Sequence, residues 1–176
     1  MDGENYFDKV IIPGNEEARM TSLRYFDVLS ELPDDYFNSL AKTIAMTFSA
    51  PIGLVTMVAD EDVYFRGNQG MEGISKVPRG KSLCSLAILD TRPTVFENAL
   101  EEPCLMRNPL VHGDFGLRFY AGAPIVTKEG FCLGSVCIVD KNPRQFSQED
   151  RQLLSQFADV AMSQLYLNYQ HRVEQD

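Results

Sequence analysis

The stretch FYAGAPIVTKEGFCLGSVCIVDKNPRQFS, residues 119–147, decides how this chain folds. It reads as two short apolar runs folded back on each other around a turn at Lys128-Glu129-Gly130. The second run carries Cys132 and Cys137, so the same stretch raises the question of thiol chemistry. Side chains alternate along a strand, which groups Ser135 with Cys137 on one face and Cys132 with Gly134 and Val136 on the other. In a strand without a bulge the two thiols point to opposite faces and cannot pair.

Downstream of this hairpin a final helix starts near Ser147, where Ser147-Gln148-Glu149-Asp150 resembles a capping box with Asp in place of Glu. Leu153, Leu154, Phe157, Val160, Ala161 and Leu165 supply its apolar positions. At the other end of the chain, Asn15 is the candidate N-cap of a first helix, with Glu16 and Glu17 in its first turn. Met20, Leu23, Phe26 and Val28 follow at helical spacing until Leu32-Pro33 breaks the pattern. Asp34 then caps a second helix, whose Phe37, Leu40, Ile44 and Phe48 form one apolar stripe. Residues 52–60 (IGLVTMVAD) read as a buried strand and 63–70 as its hairpin partner across Glu61-Asp62. Residues 71–81 read as loop, 82–89 as a short helix capped by Ser82, and 93–100 as an edge strand, because Pro93 cannot donate to a ladder. Residues 101–118, with Pro103, Pro109 and Gly113, form a long irregular connection of the kind that often carries function. Antiparallel strands joined by tight turns, with terminal helices over one face, make an α+β fold.

The length of 176 residues suits one domain, read as a flexible lead-in over 1–14, the domain itself over 15–170 and a tail over 171–176. Hydrophobic residues at 44% and charged residues at 23% are ordinary for a globular protein. Sixteen basic against twenty-five acidic side chains give a net charge of −9, with Lys and Arg scattered singly. That field disfavours nucleic acid and anionic membrane surfaces as partners. No apolar run approaches the ~20 residues of a membrane span, and the acidic N-terminus lacks the apolar core of a secretory signal. The expectation is a cytoplasmic chain with reduced thiols. Four cysteines without a Cys-x-x-Cys pair, and two histidines, supply no zinc-ligand set. No residue set points to a particular cofactor.

Several separated motifs, in order, resemble the GAF domain family, in the subgroup found ahead of bacterial histidine kinases and diguanylate cyclases. They are the opening 15–60, SLCSLAIL (82–89), NPLV (108–111), RFYAGAPIVT (118–127) and LGSVCIVDKNPRQFSQED (133–150). The resemblance spans residues 15–168. It implies a six-stranded antiparallel sheet with a helical bundle on one face and short helices and loops enclosing a small-molecule pocket on the other. Many such domains dimerise through their terminal helices. The chain departs from its relatives at Leu86, where they often carry His. It has no recognisable kinase, cyclase or phosphodiesterase segment, so the expected output is a separate signalling protein.

The function implied is non-catalytic sensing of an unidentified small molecule by a homodimer, with ligand ordering residues 101–118. The candidate pocket residues are Thr56, Phe65, Cys84, Asn108, Arg118, Tyr120, Ser135 and Cys137. Thr56 is a lone hydroxyl in an apolar strand and needs a partner, whether ligand, water or a neighbouring carbonyl. Arg118 either clamps an anionic ligand or pairs with Asp114 or another loop carboxylate. Asn108 either lines the cavity or starts a turn before Pro109. Asp140 and Arg144 are expected to stabilise the turn before the last helix. A second reading follows the methionine-sulfoxide-reductase branch of the family: a thiol enzyme or redox switch built on Cys84 and Cys104, with Arg107 and His112 nearby. Residues 112–118, which match the region of that branch's attacking cysteine, hold no cysteine. The Cys-His pair of bilin-binding relatives is absent too. A third reading is a ligand-free dimerisation module. Leu165, Tyr166, Leu167 and Tyr169 continue apolar character past a natural domain end, as a dimer seam or as core.

Overall fold

In the computed structural model, which describes residues 3–27 and 34–176, two helices, α1 (Glu16–Tyr25) and α2 (Asp35–Thr47), precede the first strands. Strands β1 (Ile52–Val58), β2 (Asp62–Gln69) and β3 (Lys76–Pro78) are followed by the short helix α3 (Cys84–Ala87) and by β4 (Thr94–Phe96). Two 3-10 turns, Ala99–Glu101 and Pro103–Leu105, and the one-turn helix α4 (Pro109–His112) lead to β5 (Phe119–Val126) and β6 (Cys132–Asp140). Helix α5 (Gln148–Gln175) closes the chain. Val28 and the Leu32-Pro33 break lie outside the described residues.

The strands form one antiparallel sheet in the order β3-β2-β1-β6-β5-β4, so the opening hairpin supplies two of its central strands and β4 is an edge. Helices α1, α2 and α5 cover one face, where Val55, Met57, Phe119, Ala121, Val136 and Ile138 meet Leu23, Phe37, Ile44, Leu154 and Leu165. The other face, carrying Leu54, Val58, Phe65, Tyr120, Cys137 and Val139, lies under α3, the 3-10 turns and α4. This is the six-stranded α+β architecture that the motifs imply.

Local chemistry explains the helix ends. The Asp34 carboxylate accepts from the Phe37 amide at 3.1 Å, which starts α2 where expected. Ser147 and Asp150 form a full capping box, each side chain accepting from the other's amide at 3.1 and 2.9 Å. Asn15 holds the N-cap position of α1, but its side chain makes no cap bond. Ser82 accepts from the Cys84 amide at 3.3 Å, although α3 is shorter than the sequence suggests.

The lead-in departs from its expected flexibility. Phe7 and Ile11 are buried under the covering layer, and the Tyr6 amide donates to the Gly80 carbonyl at 2.9 Å. Residues 71–81 are more than a loop, because β3 pairs there with β2. The tail is not separate either, since α5 continues to Gln175.

The largest correction concerns Cys132. Ile125 pairs with Gly134 and Val126 with Cys132, so Leu133 is an extra residue in β6. This β-bulge breaks the period of two: Leu133 turns toward the helices, and Cys132 lies on the same side as Cys137. A second bulge leaves Arg66 between the pairs Val55–Gly67 and Thr56–Phe65. Arg66 lies over the Phe37 ring, 5.1 Å from its centroid, and reaches Asp34 at 3.3 Å.

Candidate functional site

A small apolar cavity of about 50 Å³ lies between the sheet and its covering layer. From the sheet, Ile52, Leu54, Phe65, Tyr120, Cys137 and Val139 form its floor. Leu83 and Cys84 of the α3 segment, Leu110 of α4, Phe115 and Leu117 close it from above. The covering layer exists because residues 98–118 break regular structure with prolines and bond their own backbone. Leu117 N–H donates to the Leu110 carbonyl at 2.9 Å, and the Asn98 side chain caps the first 3-10 turn.

Four of the eight candidate residues, Phe65, Cys84, Tyr120 and Cys137, line this cavity. Thr56 and Ser135 are cross-strand partners on the same face, with their hydroxyls 3.2 Å apart and the Thr56 hydroxyl also donating to the Ser135 carbonyl at 3.3 Å. Thr56 therefore has protein partners without a ligand. Asn108 and Arg118 do not line the cavity. Asn108 is fully buried, but it caps α4 through the Leu110 amide at 2.9 Å and donates to the Lys81 carbonyl at 3.0 Å. Arg118 donates to the carbonyls of Val111 at 2.8 Å and Leu117 at 3.0 Å, which holds the loop, rather than pairing with Asp114. Sequence reasoning expected a guanidinium at a loop end to meet an anionic ligand or a loop carboxylate, whereas a loop short of regular bonds offers carbonyls instead. Apolar lining residues such as Leu54, Leu110, Phe115 and Val139 were not singled out, because nothing in an apolar residue's identity separates a cavity wall from a core.

The polar end of the cavity is a sulfur pair. Cys84 and Cys137 bring their Sγ atoms within 3.9 Å, and the Tyr120 hydroxyl donates to Cys84 Sγ at 3.3 Å. Gly122 permits this, since a Cβ there would overlap the Tyr120 ring and hydroxyl. The Cys137 contact, opposed by burial and assisted by the hydroxyls of Ser135, Thr56 and Tyr120, pulls the Cys84 thiol below its usual range. The same contact and burial push Cys137 well up. Burial likewise raises Tyr120, so its hydroxyl stays a proton donor.

The pairing expected of Cys84 with Cys104 is replaced by this one. Cys104 sits on the turn Pro103–Leu105, half-buried, and burial together with the Glu102 carboxylate raises its thiol. Arg107 is held by Asp8 at 3.2 Å and by the Asn5 carbonyl at 3.1 Å, while His112 is exposed. Cys132 approaches the Asp90 carbonyl at 3.8 Å and is raised by burial. Asp140 and Arg144 are 3.7 Å apart, and Arg144 donates to the Phe48 carbonyl at 3.0 Å, so both serve the turn before α5.

Of the tail residues, Leu165 is core, Tyr166 bonds the Lys128 amide at 3.0 Å and Tyr169 stacks on Tyr25 at 4.3 Å. Leu167 is exposed, and with Leu153 and Val160 it marks one side of α5 at seven-residue spacing. Among the described residues, no helix is long and apolar enough to cross a membrane.

Comparison with known proteins agrees with this architecture. The chain is 32% identical over 155 residues to a cyclic di-GMP phosphodiesterase of Pseudomonas aeruginosa, a match covering 88% of this chain and 26% of that protein. The chain thus spans about a quarter of that relative's length. A free methionine-R-sulfoxide reductase from Neisseria meningitidis has a similar fold, with a TM-score of 0.64 at 15% identity over 97% of this chain and 99% of that one. The GAF domain of an Acinetobacter phosphoenolpyruvate-protein phosphotransferase gives 0.63 at 14% identity, over 90% of this chain and 98% of that one. The GAF domain model matches residues 33–165, and the chain belongs to the GAF domain family.

Proposed function

We propose that this chain is a non-catalytic sensing module in which a small molecule enters between the sheet and residues 101–118 and changes the packing of a homodimer. The observation that carries this reading is the cavity itself: an apolar chamber on one sheet face, with the Tyr120 hydroxyl and the Cys84 and Cys137 thiols meeting at one end of its wall. Its roof is made of short turns outside the sheet ladder, held by side-chain-to-backbone bonds from Asn108 and Arg118. At about 50 Å³ the chamber is far smaller than the ~300–1,000 Å³ of ordinary ligand sites. A larger ligand therefore displaces the roof. The seam we assign to the dimer is the exposed Leu153, Val160 and Leu167 row of α5. By likeness to the phosphodiesterase relative, the output under control is turnover of a cyclic dinucleotide messenger by a catalytic partner in the cytoplasm.

Native mass spectrometry of the purified chain tests this. The expected result is a dimer with retained extra mass, and hydrogen exchange in 101–118 that quickens when the bound molecule is stripped. A monomer with no bound mass, and the same exchange before and after, overturns the reading. The small chamber favours one alternative, a ligand-free dimerisation module, for which the dimer would appear with no bound mass and Val160→Glu would still dissociate it.

A further inference from the structure

Cys84 and Cys137 come from distant parts of the chain, one from α3 and one from the central strand β6, and meet at the wall of the same cavity. Their sulfurs are 3.9 Å apart, roughly 2 Å beyond disulfide bonding distance. Helix α3 has four residues, all buried, and belongs to no sheet ladder, so closing the gap shifts one helical turn and leaves the strand pairing in place. Buried thiols are ordinarily inert because no oxidant reaches them. Here both border open volume.

We propose that Cys84 and Cys137 are an oxidisable dithiol site that forms an intramolecular disulfide with hydrogen peroxide admitted to the cavity. The size fits: about 50 Å³ exceeds the ~10–15 Å³ that one water needs, enough for a two-oxygen molecule, and a branched alkyl hydroperoxide must displace more of the lining. Cys84 is the attacking sulfur, because the Tyr120 hydroxyl and its neighbours stabilise its thiolate. The thiolate attacks one peroxide oxygen, the O–O bond breaks, and the departing hydroxide takes up the proton that Cys84 released, leaving as water. Cys84 is then a sulfenic acid. Cys137 sulfur attacks Cys84 sulfur, the S–O bond breaks, and hydroxide leaves with the Cys137 proton as a second water. In total two thiols lose two electrons and one peroxide becomes two waters. The bond staples α3 to the sheet. Its effect on ligand entry rests on the sensing reading above, whereas disulfide formation does not.

The test uses the reduced 176-residue chain. It is treated with hydrogen peroxide, alkylated with N-ethylmaleimide under denaturing conditions, and digested without reduction. The expected product is one peptide pair joining Cys84 to Cys137, an intact mass lower by about 2 Da before alkylation, and Cys104 and Cys132 still alkylated. Tyr120→Phe, which keeps the ring and removes the donor, should slow the reaction roughly three- to tenfold, the worth of one hydrogen bond. Equimolar tert-butyl hydroperoxide should oxidise the pair more slowly than hydrogen peroxide does. A disulfide through Cys104 or Cys132, four free thiols after hydrogen peroxide, or equal rates with the two oxidants overturns the proposal. Because the mapping uses unmodified protein, it holds whether or not any ligand is found by native mass spectrometry.

Discussion

Replacing Glu16 by Gln probes the charge network that fastens α1 to the sheet. Two fully buried guanidinium groups share this one carboxylate. Arg19 reaches Glu16 at 2.9 and 3.0 Å, and Arg79 reaches it at 2.5 and 3.1 Å. Both arginines also donate to backbone carbonyls, Arg19 to Val58 at 2.7 Å and Arg79 to Ala59 at 3.1 Å. Burial opposes ionisation of Glu16, but the bonds from Arg79 and Arg19 outweigh it and bring its carboxyl from 4.5 down to about 2. At ~1.4 kcal/mol per pH unit that depression is worth at most ~3.4 kcal/mol, which solvent screening at a side chain 20% exposed reduces to about 2–3. The folded-state value is depressed, so this stability is present above pH 4.5 and lost as pH falls toward 2. Gln mimics the protonated acid. Urea unfolding should therefore show Glu16→Gln less stable than the parent by about 2–3 kcal/mol at pH 7 and by only about 1 kcal/mol at pH 3. A gap under about 1 kcal/mol at pH 7, or one unchanged at pH 3, refutes the argument that one carboxylate neutralises both buried charges.

Gly67→Ala should destabilise by about 1–3 kcal/mol in the same assay, because its Cβ would overlap the Phe37 carbonyl and push α2 off the sheet. Ser147→Ala removes the hydroxyl half of the α5 capping box and should lower stability by about 1 kcal/mol, seen as a fall in thermal midpoint. Thr56→Val leaves the buried Ser135 hydroxyl without its side-chain partner and should lower stability by about 1–3 kcal/mol, with much of that recovered in Thr56→Val/Ser135→Ala. A double-mutant cycle with no coupling between the two positions would count against that bond.

Elements with a strong period, and ends with capping chemistry, were legible in the sequence. The Phe37, Leu40 and Ile44 stripe and the Ser147–Asp150 box fixed α2 and α5 because each follows from local spacing alone. The two bulges were not legible. An extra residue at Leu133 or Arg66 has no local signature: each depends on which cross-strand partner is reached, and that is set by the whole sheet. One bulge was enough to move Cys132 to the other face. The sulfur pair was hidden for a related reason, since Cys84 and Cys137 are 53 residues apart and the fold brings them together only by laying α3 across β6. Arg118 shows a different limit. Its charge invited a charged partner, but its surroundings supplied only carbonyls.

The smallness of the cavity has an energetic consequence for the sensing reading. Leu105, Val111 and Leu117 of the covering segment are 0%, 0% and 3% exposed. Lifting that segment clear of the sheet returns all three to water at roughly 1.5–3 kcal/mol each, so a fully open form without ligand is rarer than about one molecule in a thousand. Asn108 and Arg118, bonded to carbonyls of residues 81, 111 and 117, add to that cost. A ligand that holds the segment open must repay this through its own preference for the open form, because a molecule that binds both forms equally shifts nothing. The cheapest repayment is apolar contact with the residues it displaces, Leu110, Phe115 and Leu117. Its polar atoms are then left to the one end of the chamber that has partners for them, where Tyr120, Cys84 and Cys137 meet. A highly charged ligand is disfavoured on the same grounds, since no basic side chain lines the chamber to replace its water.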